Sequence, residues 1–280
     1  MRITVAGSDG MLARDVIVAA ERRGHEVDAP NRKEMDITDP AAIDEALEDF
    51  RPDAVINCAA WSDVDGAEDD ERGAMRINDT GAALLAAGAA RIGAKVLYPS
   101  SDYVFDGTKR TPYLEDDMPN PISAYGRSKL GGEVSVAAAN PEHFIVRSSW
   151  LFGVGGKNFV ETMLRIGAEQ DEILVVSDQR GCPTSTADLG DGMVQLVETD
   201  HYGIHHMRGD GECTWFDFAV EIFDQAQMET RVMSATTEMM GRKAPRPAYS
   251  VLGHSRDDSI LLPDWREALR RYLKDRELTR

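Results

Sequence analysis

The chain has 280 residues, of which 42% are hydrophobic, enough for a sizeable core in one large domain or in a domain with a smaller partner. Its net charge of −18, with 49 acidic residues against 31 basic ones, disfavours nucleic acid as a partner, because phosphate binding needs clustered Lys and Arg. No apolar run reaches the roughly 18 residues that a transmembrane helix needs, so no membrane association is expected.

The acidic residues are spread through the chain, and only seven of the basic residues are lysine. This composition is typical of a halophilic protein from a high-salt cytoplasm, where salt screens the self-repulsion; an ordinary acidic soluble protein is the alternative. The N-terminal sequence lacks the order of a signal peptide, and the three cysteines (Cys58, Cys182 and Cys213) match no metal or disulfide spacing. We therefore expect a cytoplasmic protein without a metal site.

Short β-rich segments alternate with helical segments through the first half of the chain. Strands are predicted at 2–6, 25–29, 54–58, 96–100 and 143–147, and helices at 12–24, 39–50, 72–92 and 123–140. Asp39 is a predicted N-cap with Pro40 in the first turn, and residues 59–70 are predicted to form an acidic loop. The alternation favours a parallel sheet covered by helices on both faces.

The regularity weakens after Arg147. Helices are predicted at 156–170, 183–197, 214–228 (with Thr214 as N-cap) and 263–274, and strands at 173–177 and 203–207. The predicted fold class is α/β: a Rossmann-type doubly wound parallel sheet with a smaller α/β substrate-binding lobe. Residues 1–148 plus 171–205 would form the NAD(P)-binding domain, and 149–170 plus 206–280 the lobe. Doubly wound folds bind ligands beyond the carboxyl ends of their strands, so we expect the active site between the two parts.

A glycine-rich turn follows the first strand and opens the first helix. Its sequence, GSDGMLA (7–13), has the spacing GxxGxxA, and small residues there let backbone amides and a helix N-terminus approach a pyrophosphate. The motif alone is weak, but its place in an alternating α/β chain favours dinucleotide binding over a plain turn. The predicted cofactor contacts in this turn are Gly7, Asp9, Gly10, Met11 and Leu12.

The second strand should reach the adenosine end of the cofactor. A carboxylate at its tip would favour NAD, but the tip reads Ala-Pro-Asn-Arg, and Arg32 and Lys33 could hold a 2′-phosphate. We therefore favour NADPH over NADH; the alternative is that both cations are merely solvated. Asp36 and Ile37 are predicted near the adenine, and Cys58, Ala59 and Ala60 where the cofactor crosses the sheet edge.

The stretch from Tyr98 to Glu133 carries the predicted chemistry. Tyr125 and Lys129 are one helical turn apart, so the ammonium could lower the pKa of the phenol and also bind a cofactor ribose. Ser101, at the end of a strand, could donate a hydrogen bond to a substrate carbonyl. Together the three residues could protonate the oxygen that forms when hydride reaches a ketone. A YxxxK spacing is common by chance, but behind a strand-end serine pair and a glycine-rich turn it indicates catalysis.

The chain resembles an extended short-chain dehydrogenase/reductase, and within that superfamily the dTDP-4-dehydrorhamnose reductases. The resemblance is collinear over nearly the whole length and rests on GSDGMLA (7–13), NCAAWSDVDGAE (57–68), SSDYVFDG (100–107), AYGRSKLGGE (124–133), RSSWLFG (147–153), GCPTSTADL (181–189), RPAYSVL (246–252) and PDWREALRRYL (263–273). It implies reduction by NAD(P)H of the C4 ketone of a nucleotide-linked 6-deoxy-hexulose, as in dTDP-rhamnose biosynthesis.

The resemblance also implies roles for single residues. Ser101 takes the hydroxyl role, Tyr125 is the proton donor and Lys129 tunes it, while Asp102 and Tyr103 would border the substrate or nicotinamide. Some family members place a magnesium ion between subunits through glutamates. Glu133 and the other carboxylates are too loosely placed to predict that, and they are expected at the surface.

The remaining substrate contacts are expected in the second half. Trp150 resembles a family tryptophan that packs against the sugar, with a core tryptophan as the alternative. Arg246 would meet the nucleotide diphosphate, since 241–254 is a locally basic segment of an acidic chain. A basic loop without a ligand is the alternative.

Three other functions compete with reduction. A sugar-nucleotide dehydratase commonly has an Asp-Glu pair after the hydroxyl, where this chain has Asp102 and Tyr103, so elimination is disfavoured. A nucleotide-sugar epimerase stays open, as does a non-catalytic partner like the regulatory subunit of methionine adenosyltransferase. The sequence identifies neither the sugar nor the nucleotide, and a homodimer is an open alternative to a monomer.

Overall fold

The computed structural model describes residues 1–278. The strands are β1 (Arg2–Ala6), β2 (Glu26–Asp28), β3 (Ala54–Asn57), β4 (Lys95–Ser101), β5 (His143–Ser148), β6 (Leu151–Phe152), β7 (Glu172–Val176), β8 (Arg180–Gly181), β9 (Thr184–Ser185), β10 (Gly203–His206), β11 (Cys213–Thr214) and β12 (Arg231–Ala235). The helices are α1 (Met11–Arg22), α2 (Pro40–Phe50), α3 (Val64–Asp69), α4 (Glu71–Met75), α5 (Ala82–Arg91), α6 (Ala124–Ala139), α7 (Phe159–Gly167), α8 (Thr186–Val197), α9 (Trp215–Gln225), α10 (Thr237–Met240) and α11 (Trp265–Leu278).

Six parallel strands form the central sheet, in the order β10-β5-β4-β3-β1-β2. From β1 the chain moves to one side to form β2, and then returns past β1 to add β3, β4, β5 and β10 on the other side. The strand order therefore reverses between β1 and β3. A doubly wound sheet opens a crevice beyond the carboxyl ends of its strands at such a point.

The two faces of the sheet are covered by different helices. Apolar side chains of α1 and α8 pack on one face in a core with β1, β3 and β5. Side chains of α2, α5 and α6 form a second core on the other face. The predicted parallel sheet with helices on both faces is confirmed. The predicted caps are confirmed as well: Asp39 accepts a hydrogen bond from the Ala41 N–H, and Thr214 forms a capping box with Asp217.

A smaller lobe packs beside the sheet around an aromatic core. Phe152, Phe218 and Trp265 are fully buried there among side chains of α7, α9 and α11. The strand expected at 173–177 lies in this lobe as β7, where it pairs with β12 rather than joining the central sheet. This corrects its assignment to the Rossmann domain, because only α8 and β10 of the segment 171–205 return to the sheet. We propose a lobe boundary after β9 rather than before β7, because β8 pairs with β11 and β9 with β6 outside the central sheet.

Two further segments differ from the expectations. The acidic stretch 59–70 contains α3, because the carboxylate of Asp63 caps it by accepting from the Gly66 N–H. The helix expected over 72–92 is interrupted by a π-helical turn at Arg76–Gly81. Among residues 1–278, no helix is both long and apolar enough to cross a membrane.

Candidate active site

A cavity of about 220 Å³ lies at the carboxyl ends of β1 and β3, where the strand order reverses. Nine of the residues predicted to bind the cofactor line it: Gly7, Asp9, Gly10, Arg32, Asp36, Ile37, Cys58, Ala59 and Ala60. Met35, Thr38 and Ile77 complete the wall, and none of these three was predicted.

The glycine-rich turn allows a close approach of backbones at this cavity. Gly7 has a φ of +78°, and a Cβ there would lie 2.8 Å from the Cα of Ala59, so a larger residue would disrupt the turn. Gly10 begins α1 and provides no side-chain cap, which leaves the first N–H groups of the helix for another acceptor. These features suit a pyrophosphate at the helix N-terminus.

A second cavity, of about 830 Å³, adjoins the first and extends towards the lobe. It is lined by Met11 and Leu12 and by the predicted reactive and substrate residues Ser101, Asp102, Tyr103, Tyr125, Lys129 and Trp150. Gly10, Cys58 and Ala60 line both cavities, so the two spaces form one cleft. Of the predicted site residues, Arg246 is the one that lines neither.

Tyr125 lies in the first turn of α6, which Ser123 caps by accepting from the Gly126 N–H. Its ring packs edge-on against Tyr103, with the centroids 5.5 Å apart. Burial of the hydroxyl and, to a smaller extent, the charge of Asp102 raise the pKa of Tyr125, a hydrogen bond with Ser101 opposes them, and the pKa lies at about 12. The net shift of this pKa is therefore upward, and the expected lowering by Lys129 stays a prediction. At neutral pH the phenol is protonated.

Lys129 is buried one turn further along α6. Its Nζ donates to the carbonyl oxygen of Pro99 at 2.7 Å and lies 4.1 Å from the centre of the Tyr98 ring. Burial lowers the pKa of Lys129 to about 7, against the opposing charge of Glu133. An ammonium has three donors, so two remain for a ligand in the cleft.

Ser101 ends β4 and joins the tyrosine to a buried carboxyl group. Its Oγ donates to Oδ1 of Asp102 at 3.0 Å, and the same Oγ accepts from the N–H of Tyr103. Burial raises the pKa of Asp102 to about 6, although hydrogen bonds from Ser250 and Ser101 oppose this. Among the described residues that line the larger cavity, Asp102 is the one carboxylic acid.

An aromatic wall closes the lobe side of the cleft. Trp150 stacks on Trp215 with the ring centroids 3.6 Å apart, and Phe159 packs against the far side of Trp215. A Cβ on Gly181 would lie only 2.5 Å from the indole of Trp150, so a glycine is needed behind the ring. Trp150 has a φ of +50°, a conformation that is strained for a bulky residue and that recurs at functional sites.

Arg246 is held at the rim of the cleft by an acidic residue of α3. Its guanidinium donates to both carboxylate oxygens of Asp65, at 3.1 and 3.0 Å, and to the carbonyl of Ala244. It also lies beside Tyr103, where its charge lowers a phenol pKa that burial raises above the usual range. The neighbouring cations Arg242 and Lys243 pair with Asp65 and Asp69. The basic segment is therefore neutralised by α3 rather than left free.

Sequence reasoning did not identify several side chains of the larger cavity. Trp215, Lys157 and Ser149 line it together with Phe159. Trp215 follows the predicted N-cap Thr214, and Lys157 lies in the glycine-rich segment GVGGKN, so each had a local signal. Glu133, expected at the surface, is buried instead, with 3% of the residue exposed.

Comparison with known proteins extends the likeness over both parts of the chain. A family model described as the RmlD substrate binding domain matches residues 1–278. A dTDP-4-dehydrorhamnose reductase of Streptomyces griseus is 42% identical over 278 residues, covering 96% of this chain and 91% of that one. The spore coat polysaccharide biosynthesis protein SpsK of Bacillus subtilis is 40% identical over 277 residues, covering 98% of each chain. The crystal structure of dTDP-4-dehydrorhamnose reductase from Bacillus anthracis in complex with NADP matches with a TM-score of 0.95 at 38% identity, covering 98% of this chain and 99% of that one.

Proposed function

Because the chain belongs to the dTDP-4-dehydrorhamnose reductase family, we propose that it is an NAD(P)H-dependent oxidoreductase that reduces the C4 ketone of a nucleotide-linked 4-keto-6-deoxy sugar. The product would be the 4-hydroxy sugar, as in dTDP-rhamnose biosynthesis. One observation carries the proposal: a protonated tyrosine, a lysine and a serine line the larger cavity, where Asp102 is the one carboxyl group among the described residues. That set can protonate an alkoxide but lacks the second carboxyl of an elimination site.

The cleft fits a nicotinamide dinucleotide. The close backbone approach at Gly7, the uncapped start of α1 and the small residues Ala59 and Ala60 leave room for a pyrophosphate. When bound, the cofactor supplies the hydride that the carbonyl carbon accepts. Arg32 supports NADPH over NADH, because its exposed guanidinium at the cavity edge could pair with a 2′-phosphate. Its contact with Asp36 is long, at 3.7 Å, and that carboxylate already accepts two hydrogen bonds from Thr38.

The residues of β4 and α6 divide the work on the substrate oxygen. Ser101 would turn its single O–H from Asp102 to the C4 carbonyl and polarise it by donating a hydrogen bond. As hydride reaches C4, the π electron pair moves to the oxygen, and that oxygen takes the proton of Tyr125. The phenolate left behind is stabilised by the ammonium of Lys129. The raised pKa of free Tyr125 suits this direction, because the donor must hold its proton until the alkoxide forms.

The lobe would hold the nucleotide sugar. Trp150 and Trp215 offer an apolar aromatic surface to the deoxy-sugar, while Asp102 and Tyr103 border the same space. Arg246 does not line the cavity itself but contacts Tyr103, which does, and from there it could bind the diphosphate at the rim.

Turnover separates this proposal from its competitors. Purified protein should oxidise NADPH stoichiometrically with a dTDP-linked 4-keto-6-deoxy sugar, and a panel of dTDP, UDP and GDP sugars would identify the nucleotide. An epimerase would not consume the cofactor. A regulatory subunit would give no turnover with any sugar and would associate tightly with another enzyme instead.

Tyr125→Phe should lower kcat by roughly 100- to 10,000-fold, because general acid catalysis contributes about that much. Cofactor binding, followed by NADPH fluorescence, should be kept. Tyr103→Phe is the matched control, since it removes a hydroxyl from the adjoining ring and should alter KM more than kcat. A loss below tenfold in Tyr125→Phe would contradict the assignment of the proton donor.

We propose three further properties of the whole protein. The acid-rich, lysine-poor composition supports a halophilic protein, which would keep its turnover in molar KCl. The cofactor and the free cysteines support a cytoplasmic location. The third property is a homodimer, for which neither charge nor any motif gives support; light scattering would distinguish it from a monomer.

A further inference from the structure

A buried carboxylate lies one helical turn beyond Lys129 on α6. The side chain of Glu133 is 4% exposed, and that of its partner Arg147 is 1% exposed. Oε1 of Glu133 accepts from Nε of Arg147 at 2.9 Å and from Oγ of Ser100 at 2.6 Å, and Oε2 accepts from Nη2 of Arg147 at 2.7 Å. This two-pronged pairing places a guanidinium directly against the carboxylate and compensates the desolvation of both buried groups.

The sheet holds this carboxylate next to the catalytic ammonium. Lys129 donates to the carbonyl of Pro99, and Glu133 accepts from the side chain of Ser100, so the two charges are fixed at successive residues of β4. Residues four apart on a helix also lie on the same face. Arg147 is the register partner of Ser100 on β5, so the sheet places it beside the residue that also contacts Glu133.

The other groups around Lys129 supply little charge of their own. Burial raises the pKa of Cys58, on the β3 side, to about 12, and it raises that of Tyr98, under the ammonium, well above its usual value. Both are neutral at pH 7. On its own helix, Tyr125 keeps its proton as well, and the carboxyl group of Asp102 acts on that tyrosine. Glu133 is thus the adjacent anion among the described residues, and its charge opposes the burial that favours neutral lysine.

We propose that Glu133, held by Ser100 and Arg147, is a positioning residue that keeps Lys129 protonated at the pH of the reaction. The inference rests on the proposed reduction, in which the ammonium stabilises the phenolate of Tyr125. Glu133 touches neither cavity and acts only through the lysine.

The test is the pH dependence of kcat with NADPH in two variants. In Glu133→Gln the alkaline limb of the profile should move to lower pH by about one unit, because the lysine loses the adjacent opposite charge. Glu133→Asp keeps the charge and should keep the limb near its wild-type position. Ser100→Ala is the comparison, since it removes one contact of the carboxylate but no charge, and its limb should move less than that of Glu133→Gln. An equal loss of kcat at every pH in Glu133→Gln would overturn the proposal.

Glu133→Gln leaves the guanidinium of Arg147 buried and unpaired, so it could fail to fold. The double variant Glu133→Gln/Arg147→Met removes both charges, and its alkaline limb should still move to lower pH, because the charge that acts on Lys129 is that of Glu133. A return of the limb to its wild-type position in the double variant would also overturn the proposal.

The same comparison can be made without any sugar. The Kd for NADPH should weaken at lower pH in Glu133→Gln than in wild type, if the protonated lysine binds the cofactor ribose. Absence of wild-type turnover with every sugar would therefore reject the proposed reduction alone. An unmoved pH dependence of the Kd would reject the role of Glu133.

Discussion

Asp102 is a carboxylic acid that the fold keeps from ionising easily. Its pKa rises to about 6, from an ordinary value of 3.8, chiefly because it is buried. Between these pH values the folded protein holds a proton that the unfolded chain has released, so this group makes the protein less stable as pH rises from 4 to 6. At neutral pH the penalty is about 3 kcal/mol, at about 1.4 kcal/mol per pH unit.

Asp102→Asn should therefore raise the free energy of unfolding at pH 7.5 by about 1–3 kcal/mol while lowering turnover, and the gain should vanish near pH 4. Urea unfolding at both pH values measures it. Asp106→Asn is a control of opposite sign: hydrogen bonds from Thr108 and Asn120 lower the pKa of Asp106, so its loss should destabilise the protein at pH 7.5. Equal stability of Asp102→Asn and wild type at pH 7.5 would contradict the raised pKa of Asp102.

Residue spacing predicted which side chains lie together in the cleft, but it did not predict the pKa shifts of those side chains. Tyr125 and Lys129 face the same cavity because four residues make about one helical turn, which sequence alone reveals. The direction of the Tyr125 pKa shift depends on the burial of its hydroxyl, and no local pattern encodes that. The burial of Glu133 was not predicted for the same reason, since its partner Arg147 is on another strand.

At the scale of elements, the basic segment 241–254 shows the limit of reading charge along a chain. Its excess of cations was visible, but α3 lies about 180 residues away in sequence and supplies the anions that pair with them. The short helix was itself missed, because its signal is a single capping aspartate within an acidic run. Strand β7 was recognised as a strand, but its partner β12 was not, so its place in the lobe could not be predicted.

The ion pair between α3 and this segment gives a prediction. Asp65→Asn removes the carboxylate that holds Arg246, and it should raise KM for the nucleotide sugar roughly ten- to hundredfold, since loss of a partner to a half-buried charge costs about 1–3 kcal/mol. KM for NADPH should stay the same. Arg242→Gln is the matched control, because that side chain is 58% exposed and its contact with Asp65 is long, at 4.0 Å. Equal increases in both KM values would instead indicate general damage to the fold.

At the scale of the whole molecule, the fold was largely predictable because its signals are periodic. Alternating strands and helices, a glycine turn after β1 and a YxxxK helix indicated a doubly wound sheet with a cleft at its carboxyl edge, and the structure confirms that sheet. The division of the chain between sheet and lobe was less predictable, because the segment 171–205 contributes to both. Pairing between distant strands decides that division, and a single sequence does not display it.

The central claim is that this cleft delivers hydride to C4 of a 4-keto sugar and a proton to its oxygen. The direct measurement is turnover of a dTDP-4-keto-6-deoxy sugar with NADPH deuterated at the transferred position of its nicotinamide, with the product analysed by NMR. The account predicts one deuterium at C4 of a 4-hydroxy sugar for each NADPH oxidised, and strong loss of this product in Tyr125→Phe. Deuterium at any other carbon, or an epimerised product formed without net oxidation of NADPH, would contradict it.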